Sequence, residues 1–272
     1  KVFMVMYIAW AMDALKTNRT PLADKLAKKP HLEFMAKKEA KVCFYVLFPI
    51  AIITLLIALG SNSSAMFIGL VMVVTALVGG LDLKYIIYVM LLGIVGVGLI
   101  FGVYKISDGK VFGRLELIER RVKLALADPL ERLHAEKPGT LKFQKILDET
   151  MQPVSAKVAV SEGGFFGKGP GNSTQRYVVS VMYEDYIFSF IVEEYGMIGA
   201  LVILILYGSL LARGSIIVRN CDNHYAKTMI AGLVLLVSGQ ALMHILINVD
   251  LFPLTGQTLP MISHGNSSFL AF

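Results

Sequence analysis

An all-α, polytopic membrane protein with one long extracytoplasmic loop is the fold class that three features of this 272-residue sequence predict. Apolar residues make up 56% of the chain and charged residues only 17%, against about 25% charged in a soluble domain. The charges gather between long apolar runs, and an apolar run of about 18 residues crosses a hydrocarbon layer of ~30 Å. Between two of those runs lies a far longer, charge-rich segment, 105–184, inside what otherwise reads as a single transmembrane domain covering 1–272.

Val2–Leu15 is a shortened apolar run, and Val42–Leu59 is the first of full length. Pro49 interrupts the latter, which a helical span tolerates when a neighbouring helix satisfies the freed carbonyl. Ala65–Leu81 and Tyr85–Tyr104 follow, joined by Asp82–Leu83–Lys84, and Tyr186–Leu211 and Thr228–Val249 complete the set. The sequence begins and ends inside apolar runs without a signal peptide in view, so it is expected to be an internal portion of a longer protein.

The connections orient the spans. Lys16–Lys41 carries eight Lys/Arg against three acids, and Ala212–Lys227 three against one, whereas Gly60–Ser64 and Leu251–Ser268 carry none. Basic short loops face the cytoplasm. Strict alternation then places Gly60–Ser64, Leu251–Ser268 and the long segment Lys105–Glu184 outside. Long loops translocate regardless of charge, so the Lys and Arg of that segment do not conflict with this. The net charge of +6 is thereby explained without nucleic acid as a partner. Cys43 and Cys221 flank basic loops and are expected to be reduced.

A connection of this length is commonly functional. Its first half, Gly113–His134, spaces Leu115, Ile118, Val122 and Leu126 as an amphipathic surface helix would. Its second half is rich in turn-forming glycine. Gly163–Gly169 (GGFFGKG) falls one residue short of phosphate-loop spacing, and no Ser or Thr follows Lys168, which argues against a nucleotide site. The histidines lack metal-ligand spacing. The sequence requires no cofactor, and a divalent cation could still assist an anionic substrate.

Asp185 stands where the long loop enters an apolar span, either as a functional acid or as a helix cap. Glu193 and Glu194 lie deeper in the same span, and both cannot face lipid, so at least one needs a polar cavity or a partner.

Three stretches carry a family resemblance. Gly167–Arg176 (GKGPGNSTQR) resembles the G-x-G-x-G-x-S-x-Q-K/R element of the FtsW/RodA family of peptidoglycan glycosyltransferases. Asp185–Gly196 (DYIFSFIVEEYG) resembles that family's DFIFA…EE-x-G, and Leu251–Ser268 (LFPLTGQTLPMISHGNSS) its LLP-x-TG-x-x-LPFISYGGSS loop. Lys1 stands where the family has the lysine of QPSE-x-x-K. GKGPGNS and LFP-x-TGQ are nearer the FtsW branch of Bacteroidetes-like bacteria. The pattern departs at His244 for a usual Asn, His264 for a usual Tyr and Asn266 for a usual Gly, and the LPE triplet before Asp185 is missing.

The resemblance implies a multi-pass protein of the bacterial inner membrane whose active side is extracytoplasmic, polymerising lipid II for division or elongation. It implies Asp185 as catalytic base, a class B penicillin-binding protein as partner, and other divisome or elongasome proteins around it. Lys168 and Arg176 are candidates for the anionic groups of the substrate. Lys1, Ser173, Gln175, Glu193, Thr255, Ser263, Ser267 and Ser268 are candidate substrate-binding groups. A lipid II flippase would also want intramembrane charges, and a non-catalytic division scaffold would not need Asp185.

Overall fold

The computed structural model describes residues 1–28, 33–58, 60–88, 138–177, 183–252 and 256–264. Of the expected elements, most of the span Tyr85–Tyr104 and the amphipathic helix 113–134 lie outside the described residues. The chain divides into two compact units. One comprises Lys1–Tyr85, Ala200–Ile245 and Thr255–Phe272, the other Ile86–Gly199 and Leu246–Leu254. Among the described residues every regular element is helical, as the apolar runs require in lipid.

In the first unit, α1 (Val2–Lys16) buries Val5, Ile8, Ala9, Ala11 and Met12. After α2 (Pro21–Ala27) and a 3₁₀ turn at Glu33–Ala36, a continuous helical rod follows. It consists of α3 (Lys38–Val42), a π-helical turn (Cys43–Leu47) and α4 (Phe48–Ala58). Pro49 explains the irregularity. It has no N–H to offer the carbonyl four residues back, that of Tyr45, and Tyr7 on α1 donates its hydroxyl to that carbonyl at 3.1 Å. The helix-to-helix rescue expected for this proline is the one observed.

Helix α5 (Asn62–Val78) starts on a Ser61 cap that accepts from the Ser64 amide. It reaches α1 and the later helix α8 (His224–Asn248) through small residues. A Cβ on Gly232 of α8 would meet Val5 Cγ1 at 2.4 Å and Thr75 Cγ2 at 2.7 Å, and one on Gly79 would meet Met12 and Thr228. Close backbone approach at glycine is how helices associate where no hydrophobic drive separates them from lipid.

In the second unit, α6 (Leu141–Gly163) is a 23-residue helix within the segment read from sequence as a loop. Its apolar and charged residues mix without a strong stripe, and Pro153 lies inside it, so periodicity does not reveal it. Ala156 and Ala159 of this helix pack with the fully buried Tyr186 and with Phe190. Helix α7 (Ile187–Asn220) follows. It outruns the apolar run ending at Leu211, since Arg213 and Arg219 on exposed faces extend their charges away from the apolar core.

Lys38–Ala58, Ile187–Asn220 and His224–Asn248 are long and apolar enough to cross a membrane, and Ser63–Val78 is a shorter apolar helix. Cys43 and Cys221 are free thiols. The orientation inferred from loop charge is tested in a background lacking both. Ser161→Cys and Lys25→Cys place thiols at exposed positions. Position 161 should react with a membrane-impermeant maleimide outside intact spheroplasts and position 25 should not; the opposite pattern would invert the topology.

Candidate functional site

The head of α7 is not a regular helix. Gly196 adopts φ +67° and ψ −162°, a conformation essentially confined to glycine, and this breaks the helical hydrogen-bond ladder. Carbonyls of the turn before such a break lose their helical donors. The segment after α6 supplies them. Lys168 N–H donates to Glu193 O at 2.9 Å and Gly169 N–H to Glu194 O at 3.0 Å, while Met197 N–H donates to Gly164 O at 3.0 Å. The loop is stitched backbone to backbone into the gap. Such an approach leaves no room for side chains. A Cβ on Gly163 would lie 2.1 Å from Val192 O, and one on Gly167 2.2 Å from Glu194 O.

The Glu193 side chain completes the junction. Its carboxylate is fully buried and accepts from Lys168 Nζ at 2.7 Å, Ser173 Oγ at 2.5 Å, Thr174 N and Oγ1 both at 3.0 Å, and Gln175 N at 3.4 Å. Lys168 also bonds Glu162 and Thr174 Oγ1. Burial works against the lysine's charge, but Glu162 and Glu193 outweigh it and hold its pKa above the ordinary lysine value. Lys168, Ser173 and Glu193 are therefore engaged with one another. Arg176 differs. Its guanidinium lies 4.7 Å over the Tyr177 ring, and among the described residues it forms no ion pair and its buried Nε has no partner.

Asp185 lies just before α7 and is half-buried. Burial, and then the neighbouring Glu184, raise its carboxyl above the usual aspartate range. Its backbone carbonyl accepts from Asn248 Nδ2 at 3.1 Å. Asn248 Oδ1 in turn accepts from the Ser189 amide at 3.1 Å and the Ser189 hydroxyl at 2.8 Å. A side chain from α8 thus satisfies a first-turn amide of α7, the office of a cap. The Asp185 carboxylate makes no hydrogen bond or ion pair among the described residues, so the capping role open to it from sequence is filled by Asn248. Tyr186, beside it, buries a hydroxyl that has no hydrogen-bond partner among the described residues. Asp250 pairs with Lys157 at 2.6 Å.

The remaining candidates fall elsewhere. Lys1 Nζ lies 3.4 Å from Gln240 Oε1 and from Gln257 Oε1, in the first unit. Gln257 also donates to Ser64 Oγ at 2.8 Å, and its carbonyl is 2.7 Å from His244 Nδ1. Ser263 Oγ accepts from the Leu259 amide at 2.7 Å. Gln175 is held through its amide, and its side chain is partly exposed. Thr255, Ser267 and Ser268 lie outside the described residues. No group of three or more His, Cys, Asp and Glu converges among the described residues. Asn248, Thr174, Gln240 and Gln257 were missed by motif reading. A polar side chain inside an apolar span is the signal that finds Asn248 and Gln240, since burial is costly without a partner.

Residues 1–272 match the FtsW/RodA/SpoVE family, described as cell cycle proteins. The chain belongs to this family. It is 30% identical over 210 residues to a probable peptidoglycan glycosyltransferase FtsW of Bacillus subtilis, covering 76% of this chain and 48% of that one. The corresponding protein of Caulobacter vibrioides is 37% identical over 134 residues, covering 48% and 34%. That of Hahella chejuensis is 38% identical over 156, covering 54% and 38%. The chain thus spans between a third and a half of these relatives. In fold it is similar to a chain from a structure titled for a peptidoglycan synthase complex that coordinates polymerization and crosslinking. The TM-score is 0.53 at 19% identity, over 99% of this chain and 64% of that one. For this FtsW/RodA/SpoVE member, the stitched junction predicts a sharp contrast between two glycines. Gly163→Ala should lose about 1–3 kcal/mol through forced overpacking. Gly208→Ala, with nothing within 4 Å of its Cβ, should be neutral or stabilising. Thermal unfolding of the two purified proteins in detergent measures the difference.

Proposed function

We propose that this protein is a peptidoglycan glycosyltransferase that polymerises lipid II into glycan strands on the extracytoplasmic side of the bacterial inner membrane. The observation that carries the reading is the Asp185 carboxylate, half-buried and unengaged among the described residues, at a helix head that Asn248 holds through the backbone. The family relatives named as glycosyltransferases support it. In the reaction, Asp185 accepts the proton of the acceptor sugar's 4-hydroxyl as that oxygen attacks the anomeric carbon of the donor. The bond to the lipid pyrophosphate breaks with inversion, and the pyrophosphate leaves with the electron pair. Arg176, the loop cation without a carboxylate partner among the described residues, stabilises the departing charge. The proposed assembly partner is a class B penicillin-binding protein.

The break in α7 favours a second reading, because discontinuous helices mark substrate sites in transporters, and a lipid II flippase is a transporter. In transporters, however, the broken backbone is offered to the cargo. Here Glu193 O and Glu194 O are already taken by Lys168 and Gly169 amides, which favours the polymerase.

Asp185→Asn in the full-length protein separates the two. Its Asn248 bond uses only the main chain, so insertion and thermal stability should match the parent. Glycan polymerisation from lipid II should fall by about 10²–10⁴-fold. Parental polymerisation by that variant would remove Asp185 from the mechanism, and loss of translocation with polymerisation absent in the parent also would favour the flippase. The pH–rate profile adds a signed test. A base works only when ionised, and a raised pKa moves the acid limb of the profile above that of an ordinary aspartate near 3.9. Glu184→Gln removes the second cause of the shift and should move the limb to lower pH with little loss of plateau rate.

A further inference from the structure

We infer that Glu193 is a positioning residue whose buried carboxylate, latched by Lys168, fixes the arc 173–175 and thereby sets where Arg176 meets the anionic group of the substrate. This rests on the glycosyltransferase reading for its kinetic consequence and on the geometry alone for its structural one.

The loop is held by two separable devices. Its first part, 164–169, is bound through main-chain atoms to the broken head of α7, by the three backbone hydrogen bonds at Glu193, Glu194 and Met197. No side chain is needed for that. Its second part, 173–175, is bound through one carboxylate. Ser173, Thr174 and Gln175 all donate to Glu193, and Ser173 Oγ then accepts from the Arg176 amide at 3.3 Å. The path from the buried charge to Arg176 is thus two hydrogen bonds long. Four of these donors converge on Oε1 and the Ser173 hydroxyl on Oε2, so both oxygens are engaged by the loop before a substrate arrives. Lys168 matters because a carboxylate with no exposed surface is costly without a countercharge, and the lysine that provides it at 2.7 Å is itself steadied by Glu162. The two loop cations therefore divide the work: Lys168 compensates the protein's own acid, and Arg176 is left for the substrate.

Hydrogen exchange read by mass spectrometry tests the latch on the full-length protein, alongside lipid II polymerisation. Glu193→Gln keeps the shape but removes the charge that pairs with Lys168 and replaces one accepting oxygen with an N–H₂ donor. Amides 174–176 should then exchange about tenfold faster or more, as for a local opening, while 164–169 stay as in the parent. Lys168→Met, altered on the loop and outside the helical bundle, should give the same pattern and keeps the test available if Glu193→Gln fails to fold. In polymerisation both variants should lose rate, and the double variant should lose no more than the worse single one, because residues of one unit are non-additive. The competing role is direct substrate binding by Lys168. It predicts a raised KM for Lys168→Met, unchanged exchange at 174–176, and effects that multiply with Glu193→Gln; that outcome overturns the inference. Faster exchange at 174–176 in the two variants, with a full-length parent that forms no glycan, would leave the latch standing and remove the glycosyltransferase reading instead.

Discussion

Everything described around the head of α7 depends on one buried negative charge. A carboxylate with no exposure is tolerated only when countercharge and hydrogen bonds replace the water it has lost. Glu193 obtains both from a single short loop. The requirement runs in both directions: the acid needs the loop, and the arc 173–175 is held in turn by the acid. The glycines follow from the same demand. To bring donors down onto Glu193 the loop must lie against the backbone of α7, and Gly163, Gly167 and Gly196 are the positions where any Cβ would collide with main-chain atoms.

The break at Gly196 is therefore better understood as half of a joint than as a defect in a helix. Opening the ladder frees carbonyls at Glu193 and Glu194 and an amide at Met197, all in an apolar span where water is scarce. Unsatisfied, each would cost several kcal/mol. The loop returns each of them a partner. Its path also carries the arc 173–175 to the Glu193 side chain, on the helix that Asp185 precedes. Asn248 does the same service from the other side. By bonding the Asp185 carbonyl and the Ser189 amide at once, it fixes the turn before α7 without touching the Asp185 carboxylate.

What could be read from the sequence and what could not divide along physical lines. The spans at Lys38–Ala58, Ile187–Asn220 and His224–Asn248 were legible because length and apolarity are local properties. The tolerance of Pro49 was also legible in kind, although the donor, Tyr7, lies 38 residues away from the carbonyl it satisfies. Helix α6 was not, because its polar and apolar residues do not segregate and Pro153 suggests an interruption. Segment ends were displaced where chemistry at the membrane edge permits it; α8 begins at His224, four residues before its apolar run. For the site, the motifs marked Gly167–Arg176 and Asp185–Gly196 as separate stretches. That one carboxylate joins them is a tertiary fact with no periodic or compositional trace. Asn248 was passed over for the same reason, since its partners lie 59 and 63 residues away.

Asp185 and Glu193 show how far residue type falls short of role. Glu193 lies inside α7 and Asp185 in the turn just before it, eight residues earlier. By sequence they are near equivalents, and either would serve as a general base. The structure separates them by what surrounds each oxygen. Glu193 is surrounded by donors, so a proton added to it would face N–H and O–H groups already pointed inward, and losing its charge would leave Lys168 with Glu162 as its remaining carboxylate. Both of its oxygens are already engaged by Lys168, Ser173, Thr174 and Gln175. Asp185 has the opposite surroundings: few donors, partial burial and a like charge in Glu184, all of which raise its affinity for a proton. A base must have an oxygen free to take a proton during the reaction, and of these two acids Asp185, whose carboxylate is unengaged among the described residues, is the one proposed for that role.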